Sequence, residues 1–235
     1  MVVSGADHAS NRGCSMRYLG ALGFGVALLA ATPAFADSVT IGTYTDRNCA
    51  PFGCGLGSYD YIQLYSASAF SAPITFDKIT FFQSVDFLGP TLTGDYTVSF
   101  STTTDPIGIT HAPALLNTSS FFSGPLGGPA GASFSISGQP YSYDPASGNL
   151  VMEIVVLDQQ VQACTICGTQ FLQAEQSGPF SRYVTEAGTR PFADTVGLVT
   201  QFTSAVPEPS TWAMLLIGFA GIGFNYRKRR SILAS

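Results

Sequence analysis

Charged side chains are scarce. Lys, Arg, Asp and Glu make up 11% of the 235 residues, against about 25% in an ordinary soluble domain. Cations are the scarcer sign where most of the chain lies. Between residues 37 and 205 there are four, Arg47, Lys78, Arg182 and Arg190, against thirteen acids, a net charge of −9. A surface of that sign with no basic patch excludes nucleic-acid binding, which needs cations to replace the counterions of phosphate. Histidine occurs only at His8 and His111, and no G-x-S-x-G is present, so a serine–histidine relay would rest on His111 alone. No loop has the acidic spacing of an EF-hand. No segment of residues 37–205 repeats, or shows the apolar period of a helix with caps, which argues against a propeller, a solenoid or a helical bundle. Tryptophan occurs once, at Trp212. Neither a cofactor nor a metal is expected.

What is there instead is alternation. In "DYTVSFSTT", Tyr96, Val98 and Phe100 fall on one side and Thr97, Ser99 and Ser101 on the other. "ASFSISG" and the two "ITF" triplets at 74–76 and 79–81 follow the same period of two, that of strands with one wet face. "NLVMEIVVLD" differs: from Leu150 to Leu157 it is apolar on both parities except at Glu153, which predicts a central strand covered on both sides. Further strands are predicted at Val39–Thr45, Tyr61–Ser66, Gln170–Ala174, Tyr183–Glu186 and Val196–Thr203. The stretches "APFGCGLGS", "SGPLGGPAGA" and "YDPASGN" read as turns between strands. Nine or ten short strands predict an all-β fold, a β-sandwich with a jelly roll as one arrangement.

Four cysteines lie in this region, Cys49, Cys54, Cys164 and Cys167. An even count in an exported chain favours disulfides, and the local pairings Cys49–Cys54 and Cys164–Cys167 are preferred because each brackets a turn-rich loop. "CTIC" has redox spacing but lacks the strand-to-helix setting of a redox motif. A four-thiolate zinc site would have to join pairs 109 residues apart. No catalytic residues are assigned. Glu153 is the acid of interest, and Asp158, five residues on, points to the opposite face of a regular strand, so without a bulge the two cannot serve as a glycosidase pair. Arg182 is the expected partner of Glu153. Tyr141 and Tyr143 share a parity and are candidate glycan contacts.

The chain's two apolar runs lie near its ends. Residues 16–36, "MRYLGALGFGVALLAATPAFA", have a cation, an apolar core over Leu19–Ala31 and "AFA" before Asp37. They form a signal peptide with cleavage between Ala36 and Asp37 by signal peptidase, and Met16 is an alternative start. At the other end, Trp212–Tyr226 is apolar, and Arg227, Lys228, Arg229 and Arg230 follow it directly. Fifteen helical residues rise about 22 Å, enough to span with snorkelling flanks, and the four cations hold their end in the cytoplasm. A transmembrane helix is therefore expected over about 211–226. "VPEP" precedes it, stiff and extended because of Pro207 and Pro209.

Together, Pro207, Glu208, Pro209 and Trp212, the apolar segment and the basic cluster resemble the PEP-CTERM sorting signal in its PEP-x-x-W-A form. The resemblance implies processing by exosortase, an integral-membrane enzyme, after a transient stay in the inner membrane with the body in the periplasm. Release to the cell surface or extracellular matrix follows. "NCAPFG", "FSAPITFDKITFF", "YTVSFSTT", "YDPASGNLVMEI", "FSRYV" and "GLVTQF" also resemble a recurrent all-β cargo module of such proteins. The expected organisation is a signal peptide at 1–36, an exported sandwich at 37–205 and a sorting signal at 206–235. The body is expected to be structural and not an enzyme. One alternative is a module that binds exopolysaccharide, and a second is a polysaccharide hydrolase.

Overall fold

A computed structural model describes residues 37–54, 57–85, 89–129, 131–160, 171–186, 190–204 and 218–219. Thirteen strands run through them: β1 (Ser38–Ile41), β2 (Asp46–Asn48), β3 (Tyr59–Tyr65), β4 (Ile74–Phe82), β5 (Thr91–Thr103), β6 (Leu116–Gly128), β7 (Ser133–Tyr143), β8 (Asn149–Leu157), β9 (Leu172–Gln176), β10 (Phe180–Glu186), β11 (Phe192–Asp194), β12 (Val196–Leu198) and β13 (Thr200–Thr203). They form a four-stranded sheet in the order β1-β13-β4-β7, a six-stranded sheet β11-β10-β3-β8-β5-β6 and a small sheet β12-β9-β2, with every pairing antiparallel. The four- and six-stranded sheets pack face to face.

The alternating residues supply the contact between them. Phe76 and Phe202 from the smaller of the two sheets meet Phe100 and Tyr65 from the larger, with ring centroids 4.9 Å apart for Phe76–Phe100 and 5.2 Å for Tyr65–Phe202. Both pairs are edge-to-face, the arrangement that ring quadrupoles favour. Met152, Ile154 and Val156 of β8 join the same cluster. Gln63 is a polar member of this interior. Its amide reproduces a strand pairing, since Nε2 donates to Leu198 O at 3.0 Å while Leu198 N donates to Oε1 at 2.8 Å. Tyr61 donates to the same Oε1 at 2.7 Å, so the buried amide is satisfied, as its burial requires.

β8 explains its own composition. It sits between β3 and β5 near the middle of its sheet. Its second apolar face is covered at Val151, which packs with Ile62, Leu64 and Ile109 beneath the segment joining β5 to β6. The cover stops short of the strand's end, where Leu157 is 51% exposed.

Four features depart from the sequence expectation. The two "ITF" triplets lie in one strand, β4, which carries a bulge between Phe76 and Lys78. "GLVTQF" is divided between β12 and β13, which belong to different sheets. The first strand ends at Ile41 rather than Thr45. The glycine-rich stretch read as a turn is largely β6, thirteen residues at a sheet edge. Pro125 is tolerated there because an edge strand can spare a donor. Phe121 is the side chain of β6 buried in the core. Opposite it, Gly138 of β7 leaves no room for a Cβ, which would lie 2.3 Å from Phe121 O.

"YDPASGN" is the turn it was read as. The Asp144 side chain accepts from Ala146 N at 2.9 Å, Pro145 opens a short 3-10 turn, and Gly148 closes it at φ 109°.

Candidate functional site

Two carboxylates come together on the outer face of the six-stranded sheet. Asp60 on β3 stands opposite Val155, and Glu153 on β8 stands opposite Ile62, in neighbouring rows of the same ladder. Ser99 on β5 donates to Glu153 Oε2 at 3.0 Å. Oδ1 of Asp60 is buried and has no hydrogen-bond partner among the described residues. Burial, and after it the charge of Glu153, push the Asp60 carboxyl up to about 6. Asp60 therefore takes up a proton in mildly acidic solution.

The sequence singled out Glu153 but not Asp60. Nothing within "YDYIQLY" shows which parity faces out, because Ile62 and Leu64 lie on the same side as Asp60 and are themselves buried. Asp158 lies beyond the end of β8 in a left-handed conformation, φ 52°. It does not join Glu153 on the ladder.

Arg182 does not pair with Glu153, contrary to expectation. It follows Phe180 and precedes Val184 on the inward parity of β10, whereas Glu153 points outward. Its guanidinium forks onto Asp194, with Nε donating to Oδ1 at 3.0 Å and Nη2 to Oδ2, and lies over the Phe192 ring at 5.3 Å. Asp194 Oδ1 also accepts from Val196 N at 3.0 Å.

Tyr141 and Tyr143 share a face, as their parity predicts, but that face is the core. Tyr141 packs against Phe76 and Phe100, and Tyr143 against Phe70 while donating to Gly148 O at 2.7 Å. The two residues are 9% and 2% exposed, which leaves little of either ring open for a sugar to stack on. A cleft of about 200 Å³ beside Tyr143 is lined by Pro73, Ile74, Thr75, Ser142 and Asp144, so it offers one acid and no second.

The disulfide Cys49–Cys54 is formed, with the Cα atoms 4.9 Å apart. Its loop drives Phe52 into the interior against Phe81, Tyr96 and Phe134. Gln159 pins the loop, since its Nε2 donates to Pro51 O at 2.7 Å and to Tyr96 OH at 2.8 Å. Cys164 and Cys167 lie outside the described residues. No group of three or more metal-ligating side chains occurs among the described residues.

The predicted cleavage point is half visible. Ala36 is outside the described residues, while Asp37 O accepts from Ser204 N and Ser204 Oγ, both at 2.8 Å. The signal peptide, Pro207, Glu208, Pro209, Trp212 and Arg227–Arg230 also lie outside. Of the expected membrane helix, Gly218 and Phe219 are described, and both are helical. Among the described residues no helix is long and apolar enough to cross a membrane.

No curated protein and no solved structure matches the chain. One family model does, over residues 205–230, and it is that of the PEP-CTERM protein-sorting motif. The match covers the residues whose proline-bracketed acid, apolar run and basic end carried the resemblance. The chain therefore carries a PEP-CTERM sorting motif at residues 205–230, and that motif implies an exported protein that exosortase processes by way of a membrane-anchored intermediate.

Proposed function

We propose that the body is a non-catalytic structural module, delivered to the cell surface or extracellular matrix once exosortase has processed the tail. The observation that carries this reading is the sorting motif at 205–230 on a body in which, among the described residues, no two acids converge on a cleft. Asp60 and Glu153 stand side by side on one sheet face, whereas a glycosidase needs its two carboxyls on either side of the bond it cuts. His111 is exposed in a loop and, among the described residues, no hydrogen bond ties it to a serine or an acid.

The strand order supports a jelly-roll reading of the body. Taking β1, β3, β4, β5, β6, β7, β8 and β13 in turn, the chain crosses between the sheets so that β1-β13-β4-β7 faces β3-β8-β5-β6. Lectin and capsid domains use this architecture, though a fold by itself assigns no activity.

The test is fractionation of cells that contain exosortase, with an epitope in the body. Replacing Pro207, Glu208 and Pro209 with alanines leaves membrane insertion intact and traps the uncut form in the inner membrane. Cutting and surface delivery of that variant at the native rate would show that the motif is not the address.

A further inference from the structure

The outer face of the four-stranded sheet is rich in hydroxyl side chains. Cross-strand register sets its side chains in rows. One row runs Ser38, Thr203, Lys78, Ser137, and the next runs Thr40, Gln201, Thr80, Ser135. On β4 and β7 a third row follows with Phe82 and Ser133. The eight side chains of the first two rows comprise six hydroxyls, one amide and one charge, that of Lys78, on a body of net charge −9. Neighbouring members of the second row are joined in the plane of the sheet: Thr80 Oγ1 and Ser135 Oγ are 2.7 Å apart, and Gln201 Nε2 donates to Thr40 Oγ1 at 3.2 Å. Ser38, Thr40, Ser133, Ser135 and Ser137 are exposed. Phe82 alternates with the buried Phe81, so its ring, half-buried, sits on this outer side beside Ser133.

We propose that this face holds a neutral, hydroxyl-rich polysaccharide, which deepens the reading above by naming what the delivered body attaches to. Three physical arguments select that partner. In-plane hydrogen bonds fix the hydroxyl rotors of the second row, so that row presents an ordered set of remaining donors and acceptors. Only a partner that repeats both kinds along its length can match the set. Apart from Phe82 the rows carry no aromatic or aliphatic side chain, and a second protein copy lacks the apolar centre that drives stable protein association. Lys78 is the one charge of the two rows, so an uncharged polymer meets little desolvation of ionised groups there. Strands spaced about 4.8 Å apart set the pitch of the array, and Phe82 at its margin offers a ring for a sugar to stack on.

The test uses the full-length chain, held in a polyoxyethylene detergent so that no sugar headgroup competes. Native gels are cast with hydroxyethylcellulose, dextran or galactomannan. At least one of these slows the chain, and salt that screens surface charge leaves the effect unchanged. Thr80→Val with Ser135→Ala keeps the shape of the face but removes the paired hydroxyls, and is expected to weaken retardation about tenfold, as the loss of one to two hydrogen bonds predicts. Phe82→Ser, a single change at the margin, gives an independent loss, and Thr97→Val on the other sheet gives none.

Retardation by none of the three polymers overturns the proposal. So does retardation by a polyuronate alone that salt or Lys78→Gln abolishes, which would make the face an anion site. A dimer in solution that the Thr80→Val/Ser135→Ala pair dissolves would assign the face to a second copy and overturn it equally. Release of reducing ends from a bound polymer would leave the face standing and sink the non-catalytic reading instead.

Discussion

At Asp60 the fold moves a carboxyl's titration into the mildly acidic range. Its folded pKa is about 6 against an ordinary 3.8, so the folded state holds the proton more tightly than the unfolded chain. Stability from this group is complete below 3.8 and is lost as pH rises through about 6. Asp60→Asn removes that loss. The variant is expected to match the wild type near the lower value and to exceed it by about 1 kcal/mol well above the upper one, a figure reduced for the partial exposure of the group. Urea unfolding across that range checks it, and parallel stability curves for the two proteins would refute it. This residue also marks a limit of sequence reading. Glu153 was legible because an acid inside "NLVMEIVVLD" breaks an apolar run, but its neighbour Asp60 comes from a strand more than ninety positions earlier. Only strand pairing brings the two together. Arg182 fails for a related reason: the parity of "FSRYV" is visible, but which parity faces the core is settled by β3 and β11 on either side.

At the scale of elements, the loop closed by Cys49 and Cys54 shows what a short disulfide does. Few residues are enclosed, so little chain entropy is removed from the unfolded state. The bridge serves to hold Phe52, fully buried, among three other rings. Phe52→Ala is accordingly expected to cost about 3–5 kcal/mol, and Cys49→Ser with Cys54→Ser less. Denaturant midpoints of the two variants rank them, and a disulfide loss larger than the phenylalanine loss would reverse the assignment of roles. The same scale shows why some strands could be read and one could not. β5 alternates apolar and hydroxyl side chains from Tyr96 to Ser101, and β8 is apolar at nearly every position, so both write their strand character into the sequence. β6 buries Phe121 and exposes most of the serines and threonines before it, so its strand character comes from pairing with β5 and not from its own pattern. Edge strands of this kind look like linkers until their partner is known.

For the whole molecule, the described fold closes on itself. Ser38 pairs with Thr203 and Asp37 with Ser204, so the first and last strands of the body are neighbours, and nothing beyond Ser204 is needed to complete the sheet. Residues 37–205, expressed with oxidising export, are expected to fold without the tail and to give a β-type circular dichroism spectrum. A disordered spectrum that residues 206–235 restore would count against this. The same closure has a consequence in time. β1 leaves the membrane first, but its sheet neighbour β13 leaves last, and β13 also separates β1 from β4. During export the leading strand therefore has no lasting neighbour until some 160 residues have followed it. The four-stranded sheet can shut only as the sorting signal arrives at the bilayer. Completion of the body and arrival of its address are thus nearly one event, and an enzyme that waits for the tail meets a cargo that has only just finished folding.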